Sequence, residues 1–423
     1  LRAGFGKVDI TPPLGTSMSG YGWYLDRKAE AVLDPLYARC IAVEEGEERV
    51  FLIALDLLAL SVEQGLDVRE RLAREFSVRP DQVLLAAIHT HSGPATWDAE
   101  GMGDADPEYM ASLPRRIAEA MEDAVADLAP CRVTAGEADV EPIGFNRFGR
   151  RPHEVDRHVR GVRFERDGKP ILLAHHSCHA VTLGVNRELS ADYPGAVCRE
   201  LARAGYEALF FNGCCGDIDP KVNQVRWGSG TPADVAAYGE LLAEALGRVR
   251  SVPAGDGGVL RSASRTFDLP LDVPDRSSVQ AELDEAEGKL ARGPGDGYAR
   301  FNRAWAAVML AAIDAGEARR ESPFVLQAVD LGAALLIGFS GEIFFGVGER
   351  VRAVFPDPLV IPVSCAVGSA GYIPTADAYE AGAYEALVVP KMRRQSPYTA
   401  DVADHVFAAA VDLIGGLTGS APL

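Results

Sequence analysis

Short apolar runs alternate along the chain with stretches whose apolar residues recur every three or four positions, as strands alternating with amphipathic helices do. Residues 4–10 read as a strand closed by the turn Thr11-Pro12-Pro13-Leu14-Gly15. Residues 37–45 and 49–56 read as a hairpin around the acidic turn 44–48, followed by a helix over 62–76 and an apolar strand over 82–88 that ends at His89. Met110, Leu113, Ile117 and Met121 form one stripe of a helix over 108–128. The pattern then predicts a hairpin over 160–166 and 170–176, a helix over 194–204, a strand over 208–212 and a helix over 232–249. Two helices, 275–291 and 297–318, joined by the breaker Gly293-Pro294-Gly295, read as a helical insertion. Strands at 324–330, 333–339 and 359–366 follow, with helices at 344–353, after Thr375 and over 399–416. Because several strand pairs are hairpins, the expected class is α/β with mixed β-sheets flanked by helices, not a purely parallel body.

Length sets the next bound. A chain of 423 residues is long for one core, so a two-lobed body is expected over residues 1–423. The formal net charge of −19 opposes contact with nucleic-acid backbones and anionic membranes. No apolar run reaches the roughly 18 residues that a membrane span needs, so no stable membrane insertion is expected. The seven cysteines include no C-x-x-C pair, which argues against a thiolate zinc site; free buried thiols in a reducing compartment are the expectation. This favours a cytoplasmic location, with secretion as the alternative because the chain starts at Leu1 rather than Met. Oligomeric state is not legible.

Histidine placement changes the picture most. Five of the eight histidines lie at two strand ends, in His89-Thr90-His91 and in His175-His176-Ser177-Cys178-His179. Histidines at i and i+2 share a face, and neutral imidazoles are good zinc ligands. In the second group His175 reads as a buried partner of the backbone and His179 as the better ligand. A third strand ends in Gly338-Phe339-Ser340-Gly341-Glu342. Two His and one Glu with an open position form a catalytic zinc set; structural histidines and a helix-start acid are the plainer readings of each segment alone. The small residues of Asn212-Gly213-Cys214-Cys215-Gly216-Asp217-Ile218-Asp219-Pro220 either let backbone amides approach a ligand or form a tight turn.

Taken in order, these segments resemble the N-terminal catalytic domain of the neutral (non-lysosomal) ceramidase family. The resemblance is carried by Gly4 to Pro13, Gly20-Tyr21-Gly22, His89 to Pro94, Asn146-Arg147, His179 to Gly195, Gly216 to Pro220, Gly341-Glu342 and Tyr372 to Glu385. It implies one zinc held by His89, His179, Glu342 and Tyr372, with His91 and Arg147 contacting substrate or developing charge and Tyr384 bordering the site. A guanidinium at Arg147 has its own rationale as an oxyanion partner. The family's amidases have serine where this chain has Asp219, which leaves that residue as a base or substrate contact and points away from ceramide to a divergent, non-ceramide member. The chain stops where the family's C-terminal Ig-like domain would begin, so none is expected. Arg147, Arg150 and Arg151 point to a polar, anionic substrate, unless the latter two are a solvated surface pair. The expected function is a zinc-dependent hydrolase in which metal-activated water attacks the amide (N-acyl) bond of a small, polar substrate, His91 or Asp219 handling the proton. The alternatives are an esterase or sugar N-deacetylase on the same metal site, or a non-catalytic ligand-binding homologue.

Overall fold

The hairpin predicted over residues 37–56 is present in the computed structural model as Tyr37–Glu45 and Glu48–Leu55, in antiparallel register from Ala38↔Leu55 to Glu45↔Glu48. The structure describes residues 1–250, 252–253, 260–293 and 295–419; Pro294 of the predicted breaker lies outside them. The hairpin sits in a nine-stranded sheet. Its spatial order is Glu207–Asn212, Ile171–His176, His158–Arg166, Ala129–Asp139, Arg2–Asp9, Tyr37–Glu45, Glu48–Leu55 and Val83–Ala87, with Val252–Pro253 paired to Ala129–Asp139. The sheet is parallel only at its two ends, where Val83–Ala87 lies along Glu48–Leu55 and Glu207–Asn212 along Ile171–His176. Fully buried runs such as Val50–Leu55 and Ile171–Ala174 are apolar throughout because both faces are covered.

A second, four-stranded sheet runs Arg261–Pro270, Glu321–Asp330, Ala334–Phe339 and Leu359–Val363, again with one parallel pair, the last. It has its own core, in which Phe324, Phe339, Phe344 and Val406 are buried. The expected mixed sheets with outer helices are therefore the observed fold. The predicted insertion is also present. Helices Arg276–Arg292 and Gly297–Ala315 pack on each other around Val279, Trp305 and Met309, and they are inserted at the tip of the hairpin whose strands pair Pro270↔Glu321. Two long strands were not foreseen, Ala129–Asp139 and Arg261–Pro270, nor were the strands of two or three residues. No helix among the described residues is long and apolar enough to cross a membrane.

The three parallel pairs of these two large sheets all end at the same place. Val83–Ala87 delivers His89, Ile171–His176 delivers His179, and Ala334–Phe339 delivers Glu342. Carboxyl ends of parallel strands leave a crevice where the chain turns away, and here three such crevices coincide.

Candidate metal centre

His89 leaves its strand in a left-handed conformation (φ 68°), which histidine tolerates better than bulky residues do. That turn brings its Nδ1 within 2.9 Å of the Leu58 carbonyl. A carbonyl only accepts, so Nδ1 carries the proton and the lone pair lies on Nε2. His179 is fixed the same way, with Nδ1 2.6 Å from the Cys215 carbonyl. A bridge between Thr90 and Ala180 aligns the two histidine segments side by side. Asn212 secures both, its amide donating to the carbonyls of Ile88 (3.1 Å) and Cys178 (2.9 Å).

Glu342 and Tyr372 arrive together because Glu342–Ile343 and Tyr372–Ile373 form a two-residue parallel pair in the register Glu342↔Tyr372. Oε2 of Glu342 lies 3.2 Å from His89 Nε2 and 3.4 Å from His179 Nε2. The Tyr372 hydroxyl lies 3.1 Å from His179 Nε2. His91 Nε2 is 3.3 Å from His89 Nε2, while His91 Nδ1 has no hydrogen-bond partner among the described residues. The ligand atoms of His89, His91 and His179 all lie within 4.8 Å of one another. Gly20 makes room for this imidazole: its φ is +109°, and a Cβ there would come 2.6 Å from His91 Cγ.

A carboxylate oxygen close to two inward-facing nitrogen lone pairs is repulsive unless a positive charge sits between them. Burial disfavours a charged His89, but Glu342 and then Cys365 outweigh it and hold this imidazole well above its usual range. Burial would raise Glu342, yet His89 and His179 hold it well below the usual carboxylate range. Burial, then His89 and His179, push His91 well down; burial, then Arg147, lower His179. This donor set, imidazole nitrogens with a carboxylate and a phenol, fits a divalent cation, and His and carboxylate ligands suit zinc among several.

The remaining candidates sit beside the cluster. Strands Gly144–Asn146 and Ile218–Pro220 pair antiparallel, which sets Arg147 next to Asp219. Arg147 donates through Nε to Glu385 Oε1 (2.8 Å), through Nη1 to Asp219 Oδ1 (2.9 Å), and through Nη2 to the Gly216 carbonyl (3.0 Å) and the Tyr372 hydroxyl (2.9 Å). With four acceptors already on its guanidinium, Arg147 is not the free anion receptor that its sequence context suggested. Arg150 and Arg151 are tied to Asp377 and do not extend that role. Tyr384 faces the cavity from above, its hydroxyl 3.9 Å from Met392 Sδ. His175 and His176 bond backbone carbonyls of Pro362 and His158, so His175 has the structural place expected of it. Glu385, Asn212 and Trp227 carried no role in the sequence reading. Glu385 follows Tyr384 directly, and Asn212 opens the glycine-rich segment, so their positions were in view without a chemistry attached.

The chain resembles known proteins in sequence and in fold. The family described as neutral/alkaline non-lysosomal ceramidase, N-terminal, matches residues 1–201. The neutral ceramidase of Mycobacterium tuberculosis is 26% identical over 221 residues, covering 46% of this chain and 34% of that protein. The neutral ceramidase of Pseudomonas aeruginosa is 30% identical over 157 residues, 34% of this chain and 23% of that protein. These matches thus span well under two thirds of either relative. The crystal structure of neutral ceramidase from Pseudomonas aeruginosa superposes over 97% of this chain and 73% of its own, with a TM-score of 0.74 at 19% identity. A ceramidase complexed with C2 gives 0.74 at 18% identity over 97% and 74%. Residues 1–201 are thus similar to the N-terminal part of the neutral/alkaline non-lysosomal ceramidases, and over nearly its whole length the chain has the fold of neutral ceramidase.

Proposed function

We propose that this protein is a metal-dependent hydrolase of amide bonds. The observation that carries the reading is the placement of Glu342 Oε2 within 3.4 Å of both His89 Nε2 and His179 Nε2, with both histidine Nδ1 atoms committed to carbonyls. His89, His179, Glu342 and Tyr372 would hold the ion, and His91 is a further imidazole within reach. When bound, a divalent ion supplies Lewis acidity, polarising a carbonyl and making water a nucleophile near neutral pH.

The chain's own groups do the rest. His91 keeps an Nδ1 without a hydrogen-bond partner among the described residues, so it is placed to take a proton and pass it to a leaving amine. Asp219 stands where the ceramidases resembled in sequence have serine, so no hydroxyl nucleophile is present at that position; its carboxylate fits a proton-carrying or substrate-contacting role. Arg147, locked to Tyr372, Asp219 and Glu385, is a positioning residue that fixes the phenol and both carboxylates. Substrate reaches the cluster from a 690 Å³ chamber and from an 80 Å³ slot, both bordered by His91, Tyr372 and Tyr384.

The test is elemental analysis of the purified wild type and His179→Ala side by side, together with turnover of short N-acyl amides. About one metal ion per chain, lost with turnover in the variant, is expected. Full metal content and turnover in His179→Ala would overturn the scheme.

A further inference from the structure

The two spaces that reach the metal cluster differ in chemistry as well as size. The 80 Å³ slot is walled by Leu58, Ala59, Met102, Val389 and Met392, which suits an apolar acyl group. The 690 Å³ chamber has aromatic walls from Trp23, Phe148, Trp227 and Tyr384, with Asp219 and Glu385 set into them. Among its described lining residues the charged groups are Arg147, Asp219 and Glu385, two carboxylates against one guanidinium. Arg147 engages one oxygen of each carboxylate, Asp219 Oδ1 and Glu385 Oε1. The second oxygens, Asp219 Oδ2 and Glu385 Oε2, take no hydrogen bond from any described residue. Both side chains are more than nine-tenths buried while lining the chamber.

These two oxygens open onto the chamber, where the N–H groups of a ligand can supply the donors that the protein does not. Aromatic faces add attraction for an ammonium group, worth most where water is excluded. The chain's net charge of −19 draws cations towards it from a distance. We propose that the chamber binds a cationic ammonium group on the amine half of the substrate, so that the enzyme acts on short-chain N-acyl derivatives of diamines or related ammonium-bearing amines. This rests on the hydrolase reading for its chemistry, but the recognition step stands on the chamber alone.

Two matched pairs separate the two ideas. For binding, the probes are the mono-methanesulfonamide of putrescine and its neutral isostere N-pentylmethanesulfonamide, which are not hydrolysed, titrated calorimetrically into the purified protein. The cationic probe should bind about tenfold tighter. The ratio should fall to near one in Glu385→Gln and shrink in Trp227→Ala, which removes a half-exposed ring. For turnover, the pair is N-acetylputrescine and N-pentylacetamide. A binding preference without turnover of either amide would retain the chamber and overturn the hydrolase; turnover of both with equal binding of the two sulfonamides would do the reverse. A preference that survives undiminished in both variants would also overturn the assignment of Glu385 and Trp227.

Discussion

Replacing Asp156 by Asn tests whether the histidine loop depends on one buried ion pair beneath it. Arg160 is 1% exposed, and its one side-chain hydrogen bond goes from Nη1 to Asp156 Oδ2 at 2.8 Å. The same oxygen accepts the backbone N–H of Ser177 at 3.0 Å, two residues before His179, and Oδ1 accepts that of His158 at 3.1 Å. Asparagine keeps the shape but has one acceptor oxygen, so one of these donors must face an amide NH2. Breaking a buried pair costs about 3–5 kcal/mol. The low end applies here, about 3 kcal/mol, because Glu137 and Glu349 still lie 3.4 and 3.8 Å from the guanidinium. The assay is urea unfolding of both proteins at neutral and acid pH. Burial would raise the Asp156 carboxyl, but Arg160, His176 and His175 outweigh it and hold it well below its ordinary value. A depressed folded value means that its stabilisation is complete above the unfolded value near ~3.9 and is lost as pH falls below it. The gap between wild type and variant should therefore close on acidification. A loss under about 1 kcal/mol at neutral pH, or a gap that widens in acid, would refute the reasoning.

Asn212→Ala removes the amide that bonds the Ile88 and Cys178 carbonyls; a stability loss of about 1–3 kcal/mol and weaker metal retention against a chelator competitor are expected. Excising residues 273–319 and closing the hairpin with a short turn should preserve the far-UV circular dichroism of the remaining fold, since strands Arg261–Pro270 and Glu321–Asp330 pair to their ends. The same deletion should weaken binding in the wide chamber while leaving metal content unchanged, because Trp23 stacks on Phe301 of the inserted helices at 5.3 Å.

The sequence made legible whatever depends on local pattern. Val83–Ala87, Ile171–His176 and Ala334–Phe339 are apolar runs closed by polar residues, so both the strands and the residues they present could be read directly. Ala129–Asp139 escaped because it has few strand-favouring residues and a buried centre of only three, Val133, Thr134 and Ala135. It is a strand because Arg2–Asp9, His158–Arg166 and Val252–Pro253 pair with it, and none of those partners is local. Arg261–Pro270 is similarly polar and is held by ten pairs to Glu321–Asp330 across the inserted helices. At the site, Tyr372 was reached only through family resemblance, because its partnership with Glu342 is a register between segments thirty residues apart. The engagement of Arg147 by two carboxylates from distant segments was not readable at all; a lone arginine in sequence shows its charge but not its company.

The helical insertion has a consequence for how such a fold can change. It enters and leaves at the tip of a hairpin, so its length or sequence can vary without shifting the register of a single strand. Its Tyr298 and Phe301 meet Trp23, and its Arg300 lies 3.8 Å from the ring of Tyr24. None of these residues is among the histidines or carboxylates at the strand ends. The aromatic contacts at the rim of the chamber and the histidine–carboxylate cluster are thus mounted on separate parts of the chain. A lineage could exchange one for a new diet while the other is handed down intact.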